Sequence, residues 1–317
     1  MPGRREAIIA DMQEAGTPTT TFFRPRLSGS TQVCESAAGP IAVHVAGQGP
    51  PLLLIHSVNA AASAAEVRPL HEHYAATRTV FSPDLPGFGA TARPRKLYTP
   101  RLMTDALHGV VAHIQRQSGP APIDALALSL SCEFLARAAS ENPACWRSLA
   151  LVSPTGLSGR LQRRGAPGST AGMPRLHRAL QAVGPGLFSL LTRPAVVRFF
   201  LRKTWGRPEI DELMFEEAVR TARAPGAEHA PLSFLAGALF SRDILTLYES
   251  LQMPVWMCHG VRGDFTDYRQ KTLLEQRANW GVQVFASGAL PHFEMTNEFL
   301  GALDHHLART DCDAATP

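Results

Sequence analysis

Apolar residues recur along the chain in short continuous runs at residues 52–55, 79–81, 123–128, 149–152, 255–258 and 282–285. Each run is too short for a helix and too continuous for a strand with one wet face. That pattern suits parallel strands covered on both sides. Helical spacing fills most of the gaps, at 66–76, 100–117, 132–140 and 268–280. The alternation predicts an α/β fold with a doubly wound, mostly parallel sheet. Ahead of it, 31–35 and 41–45 flank Ala38-Gly39-Pro40 and read as a hairpin. A last amphipathic helix is expected over 298–308. The first 28 residues read as an extension, with a short helix at 4–14 and a Thr/Pro-rich linker at 17–21.

The alternation breaks between 156 and 245. A Gly/Ser/Arg/Pro-rich loop at 156–174 precedes helical segments at 175–183, 194–205, 208–222 and 231–240, rich in Leu, Phe and Val. Four helices exceed one crossover connection. The segment therefore reads as a lid inserted into a core made of 29–155 and 246–312.

Composition narrows the picture. The chain has 317 residues, 45% of them hydrophobic, which supports a large core and excludes global disorder. No apolar run is long enough to cross a membrane, and no signal-peptide stretch follows the basic start. The net charge of +4 comes from scattered arginines rather than a stripe, so no nucleic-acid partner is expected. The five cysteines form no CxxC pair and no Cys/His metal spacing. Neither metal nor cofactor is expected, and reduced thiols point to the cytoplasm.

The chemistry centres on Ser129, at the junction of the 123–128 strand and the next helix. A serine on such a turn is exposed above the sheet, and the amides after it face the same space. The turn is crowded, so positions two before and two after must be small. For Ser129 these are Ala127 and Ser131; for Ser131 they would be Ser129 and the larger Glu133. Sterics select Ser129. A serine nucleophile needs a base, and the base an orienting carboxylate. Asp264 and His292 each follow a strand at the same sheet edge, and the order Ser129, Asp264, His292 fits that need.

These features resemble the α/β-hydrolase fold superfamily, in its serine hydrolase form with a helical cap. Leu52 to Ser57 is similar to the family's strand and His-Gly turn, Asp84-Leu85-Pro86-Gly87-Phe88-Gly89 to its D-x-P-G-x-G loop, and His292-Phe293 to its catalytic-histidine segment. Ala127, Ser131 and Ser57 replace family glycines. The resemblance implies an oxyanion hole from the backbone N–H groups of Val58 and Leu130. It implies Ser129 as nucleophile, His292 as base and Asp264 as the acid, with Asp267 second in line. The activity implied is hydrolysis of a hydrophobic carboxylic ester, a small-molecule substrate; C–C bond hydrolysis of the meta-cleavage type and a non-catalytic ligand-binding homologue are the alternatives. Asn59 is a candidate for the substrate pocket or a turn cap. His56, His259 and Asp84 read as structural, Cys132 as packing, and His305-His306 as surface.

Overall fold

A computed structural model describes residues 27–159 and 163–314, with side chains to 308. The expected helix at 4–14 and linker at 17–21 lie outside the described residues. The strands are β1 (Ser30–Cys34), β2 (Ile41–Ala46), β3 (Pro51–Ile55), β4 (Thr79–Pro83), β5 (Ile123–Leu128), β6 (Trp146–Val152), β7 (Val255–Gly260) and β8 (Trp280–Phe285). They form one sheet in the order β1-β2-β4-β3-β5-β6-β7-β8. Only β2 runs against its neighbours β1 and β4; the other pairs are parallel. This is the expected doubly wound, mostly parallel sheet with an N-terminal hairpin.

The apolar runs of the inner strands are explained by burial on two faces, while β8 at the sheet edge is only partly covered. Successive residues of a strand point to opposite sides. Leu53 and Ile55 of β3, with Ala125 and Ala127 of β5, belong to one core. Leu52 and Leu54, with Leu126 and Leu128, belong to the other. The first core is closed by α2 (Pro100–Ser118) and α3 (Ser131–Glu141), which contribute Val110, Ile114 and Leu135. The second is closed by α1 (Arg68–Tyr74) and α9 (Thr296–Ala314), through Leu70, Phe299 and Leu303. Each such side chain contributes roughly 1.5–3 kcal/mol on burial.

Between β6 and β7 lie α4 (Pro174–Leu191), α5 (Pro194–Trp205), α6 (Glu212–Ala222), α7 (His229–Leu235) and α8 (Ile244–Ser250). The helix expected from 208 starts later, because Asp211 caps it by accepting the Met214 N–H at 2.7 Å. The helix expected to 240 ends early, at Gly237 with φ +75°. The helix expected over 268–280 is reduced to single turns at Arg269–Lys271 and Thr272–Glu275, where only Gln270 and Leu274 are buried. Both ends of the inserted helices are tied to α3. Buried Glu133 accepts from Thr155 Oγ1 at 2.5 Å and from the Ser241 N–H at 2.7 Å, and Arg137 meets Asp243 at 2.7 Å.

At the start of β5, Asp124 is fully buried and meets Arg78 at 2.8 Å, Arg147, and the Ser148 hydroxyl at 2.6 Å. Removing its charge weakens its pairing with two partly buried guanidinium groups. Asp124→Asn is expected to cost about 3 kcal/mol, read as a lowered urea midpoint. A variant within experimental error of wild type would show that these pairs contribute no net stability.

Candidate active site

The turn after β5 has the geometry a nucleophile needs. Ser129 has φ +52°, the left-handed region that a residue with a Cβ enters at a cost of about 1–2 kcal/mol. Its N–H still reaches the Val152 carbonyl at 2.8 Å, so the parallel ladder continues one residue past the strand. Its hydroxyl is half-buried and has no hydrogen-bond partner among the described residues. Ser131, by contrast, is buried and donates its hydroxyl to the His56 carbonyl at 2.5 Å. Ala127 is fully buried beneath the turn, and the Cys132 thiol points back to the Ala127 carbonyl at 3.2 Å. Burial raises that thiol's pKa well above the ordinary value, which leaves it a packing group.

The loop after β3 approaches from the side. His56 is buried; its Nδ1–H donates to the Ser57 carbonyl at 2.6 Å, and its Nε2 accepts the Leu85 N–H at 2.9 Å. Both nitrogens are occupied, so His56 braces the turn. Asn59 is likewise engaged. Its Oδ1 accepts the Ala61 N–H at 2.8 Å, and its Nδ2 donates to Ser57 Oγ at 3.1 Å and to Glu66 Oε1 at 2.6 Å. The turn cap, of the two readings for Asn59, is the one these bonds describe. The N–H groups of Val58 and Leu130 are buried and donate to nothing among the described residues.

Asp84 is fully buried and bonds His44 Nε2 at 2.9 Å and the N–H groups of Ala64 and Ala90 at 2.7 Å. Burial alone would raise its pKa; His44 and the surrounding N–H donor outweigh it and hold the carboxyl at about 2. It fixes the 84–91 loop against the loop after β3.

His292 lies in a single turn, Pro291–Glu294, past β8. The loop leading to it crosses the end of β6, where Ser153 (φ +49°) donates its hydroxyl to the Ala289 carbonyl at 2.7 Å. It then reaches the loop after β3, where His292 Nε2–H donates to the Glu66 carbonyl at 2.8 Å. The C-terminal end of β5 lies between these two anchors in the sheet order. His292 is fully buried, with its ring 4.9 Å from Phe293 and 5.6 Å from Phe299. Its Nδ1 is buried with no hydrogen-bond partner. Burial lowers its pKa to about 4, partly opposed by the Glu66 carbonyl. The ring is neutral at pH 7, with a bare Nδ1.

The structure does not bring Asp264 to His292. Asp264 is 55% exposed, and its Oδ2 meets Lys203 Nζ at 2.9 Å. Gly263 before it has φ +85°, and a Cβ there would lie 2.3 Å from the Lys203 carbonyl. That close approach to the end of α5 carries the Asp264 side chain outward. Asp267 is also turned away, accepting the Gly159 N–H at 3.1 Å and Arg269 at 2.9 Å. His259 is buried, stacks on Tyr268 at 4.1 Å and bonds Lys271 Nζ at 3.0 Å.

Sequence reasoning missed Glu66. Its carboxylate, 2% exposed, accepts the Ser57 N–H at 2.7 Å as well as Asn59, while its carbonyl accepts from His292. One residue thus fixes both the loop carrying Val58 and the ring of His292. Ser57 and Asn59 lie within nine residues of Glu66, but the bond to His292 spans 226 positions and no local pattern signals it. Among the described residues no group of three or more His, Cys, Asp or Glu could hold a metal ion.

Residues 52–302 match the profile of the Alpha/beta hydrolase family. No curated protein matches the chain in sequence. Among solved structures, the chain is similar to a serine hydrolase involved in carbazole degradation, at 15% identity and TM-score 0.69, covering 89% of this chain and 99% of that one. It is also similar to a thermophilic esterase from Thermogutta terrifontis, at 17% identity, TM-score 0.66 and 89% and 99% coverage. A meta-cleavage product hydrolase from Pseudomonas fluorescens gives 17% identity, TM-score 0.68 and 88% and 97% coverage. At these identities the likeness is one of fold.

Two predictions follow from the strained turn and the buried ring. Ser129→Gly should be more stable than Ser129→Ala by about 1 kcal/mol, because only glycine takes a positive φ without strain; equal melting temperatures would show an unstrained turn. For His292, the unfolded chain takes up a proton near the ordinary value of 6.5 and the folded chain only near 4. Its stabilising contribution is therefore complete above pH 6.5 and lost as the pH falls to about 4, by roughly 3 kcal/mol in all. Buried His71 adds a shift of the same sign. The difference between wild type and His292→Gln, by urea unfolding at pH 7 and 4.5, isolates His292. Identical pH slopes would remove it as the source.

Proposed function

Because the chain belongs to the alpha/beta hydrolase family, we propose that it is a serine hydrolase acting on a hydrophobic carboxylic ester. The observation that carries this reading is Ser129: a strained, left-handed serine at the end of β5 whose hydroxyl has no partner, beside two unengaged buried amides. In this reading Ser129 Oγ attacks the ester carbonyl carbon and His292 takes its proton. The Val58 and Leu130 N–H groups hold the oxyanion, each contributing about 3 kcal/mol to the transition state. His292 then protonates the leaving alkoxide, and water, activated by the same ring, releases the acid. The role of steadying the ring falls to the Glu66 carbonyl, which accepts its N–H, rather than to Asp264, which is paired with Lys203. A substrate with an apolar acyl or aromatic group fits the Leu- and Phe-rich helices that follow β6, which this reading takes as a cap.

One observation favours a second reading, that of a ligand-binding homologue without turnover. Neither ring nitrogen of His292 meets a carboxylate, Nε2–H being held by the Glu66 carbonyl and Nδ1 being the lone pair that would take the proton, so an imidazolium formed during attack would lack the usual stabilising charge.

Hydrolysis of p-nitrophenyl esters of increasing acyl length separates the two. Ser129→Ala and His292→Ala are each expected to lower kcat/KM by about 10³-fold or more, and Asp264→Asn by less than about tenfold. A loss in Asp264→Asn equal to that in His292→Ala would assign the acid to Asp264 in the working enzyme. No turnover of any ester, together with no labelling of Ser129 by a fluorophosphonate, would favour the binding reading.

A further inference from the structure

The loop that carries His292 is held by segments from several parts of the chain. The Ser287 carbonyl accepts the N–H groups of Val261 and Arg262, in the loop after β7, at 2.9 and 3.0 Å. The Ala289 N–H donates to the Thr204 carbonyl, in the last turn of α5, at 2.8 Å. The Ala289 carbonyl accepts the Ser153 hydroxyl at 2.7 Å. A Cβ on Gly288 would overlap the Trp205 carbonyl, so helix and loop meet backbone to backbone. The buried Trp205 ring lies 5.7 Å from that of Phe293. The end of α5, which belongs to the segment inserted between β6 and β7, is thus built into the surroundings of His292.

Glu294 closes this arrangement. Its side chain is 1% exposed. Oε1 accepts the Gly288 N–H at 2.7 Å, which ties the end of the 288–294 loop back to its start. Oε2 meets Arg262, and Arg207 Nε lies 3.2 Å from it. Arg262 comes from the loop after β7, and Arg207 follows α5. A buried carboxylate is costly unless it is paired and hydrogen-bonded. This one is satisfied on both oxygens only when the three segments sit together around the turn Pro291–Glu294. The His292 ring, by contrast, has a single polar contact, the Glu66 carbonyl at 2.8 Å, and none at Nδ1. Its placement therefore depends on the turn beneath it.

We propose that Glu294 is a positioning residue for His292, and that Arg207 and the end of α5 make the inserted helices part of that support. A reacting side chain is held in place by neighbours that are themselves locked by packing and hydrogen bonds. Glu294 supplies that lock from two residues away without touching the ring's nitrogens. As a role in hydrolysis, this rests on the reading of His292 as the base; as an account of what holds the ring, it does not.

The test reads the ring and the rate separately. Glu294→Ala, Glu294→Gln and Arg207→Gln are compared with wild type, and Asp124→Asn, at the opposite end of β5, controls for lost stability. The NMR signal of the His292 ring is identified by its disappearance in His292→Gln, and in wild type it should titrate at about 4. In Glu294→Ala it should move towards the ordinary 6.5, because a loosened turn admits water to the ring. Glu294→Gln, which keeps an acceptor for the Gly288 N–H, and Arg207→Gln should move it the same way by less. Asp124→Asn should leave it in place. On p-nitrophenyl esters, Glu294→Ala should lower kcat by about 10- to 100-fold with KM changed less than about twofold. An unchanged titration in Glu294→Ala overturns the proposal whatever the ester rates, and so does an equal shift in Asp124→Asn. An unchanged titration in Arg207→Gln, whose partly exposed position keeps it informative should Glu294→Ala not fold, overturns the share given to the inserted helices. The expected shifts in a chain that hydrolyses no ester would uphold the support of the ring and remove the hydrolase reading instead.

Discussion

The parallel ladder of β5, β6 and β7 continues one residue beyond the strands, and the site depends on that continuation. The N–H of Ser129 bonds Val152, and that of Ser153 bonds Cys258, at 2.8 and 2.7 Å. Each chain must then turn sharply away from its strand, and both serines take a positive φ to do so. For Ser129 the turn lifts the hydroxyl off the sheet. For Ser153 it aims the hydroxyl at Ala289, which anchors the loop that carries His292. Two residues that bear a Cβ in the left-handed region, side by side at one sheet edge, are tolerated because the ladder bonds over-determine them.

The buried polar groups around this edge form a closed set. Glu66 engages the Ser57 amide, Asn59 closes on Glu66 and Ser57, and Ser131 ties the elbow to the His56 carbonyl. Once those bonds are made, the amides of Val58 and Leu130 are left over. A buried N–H without a partner is costly, so its persistence at a functional edge is informative. His292 presents the same situation in the acceptor sense. Its N–H is satisfied by Glu66 and its lone pair is not. The groups left without a partner are thus two donors and one hydroxyl on the turns after β3 and β5, and one acceptor on His292, which makes no hydrogen bond to that hydroxyl.

Much of the fold was legible because burial on both faces favours a nearly continuous apolar run in β3 to β7, whereas β8, at the sheet edge, became a strand with Val284 44% exposed. Boundaries slipped where capping decided them, as at Asp211 and Gly237. The strand-to-helix turn was legible at Ser129 because crowding restricts its neighbours to small residues, and Ser131 is indeed buried with its hydroxyl engaged. The placement of Asp264 was not legible. Its position after β7 is compatible with reaching His292, but the contact of Gly263 with the Lys203 carbonyl comes from a helix more than fifty residues earlier. The link from Glu66 to His292 was hidden for the same reason, since it joins residues 226 positions apart.

Periodicity has a further limit in the inserted helices. A high apolar content there reads as material for covering a pocket, yet in α4 the line through Leu176, Val183 and Leu190 is exposed and lies about 100° from the face the helix buries. Packing against α7 uses only the latter. Sequence spacing marks the leucine line as the apolar one and does not show that the covered face is that of His177, Gly184 and Phe188.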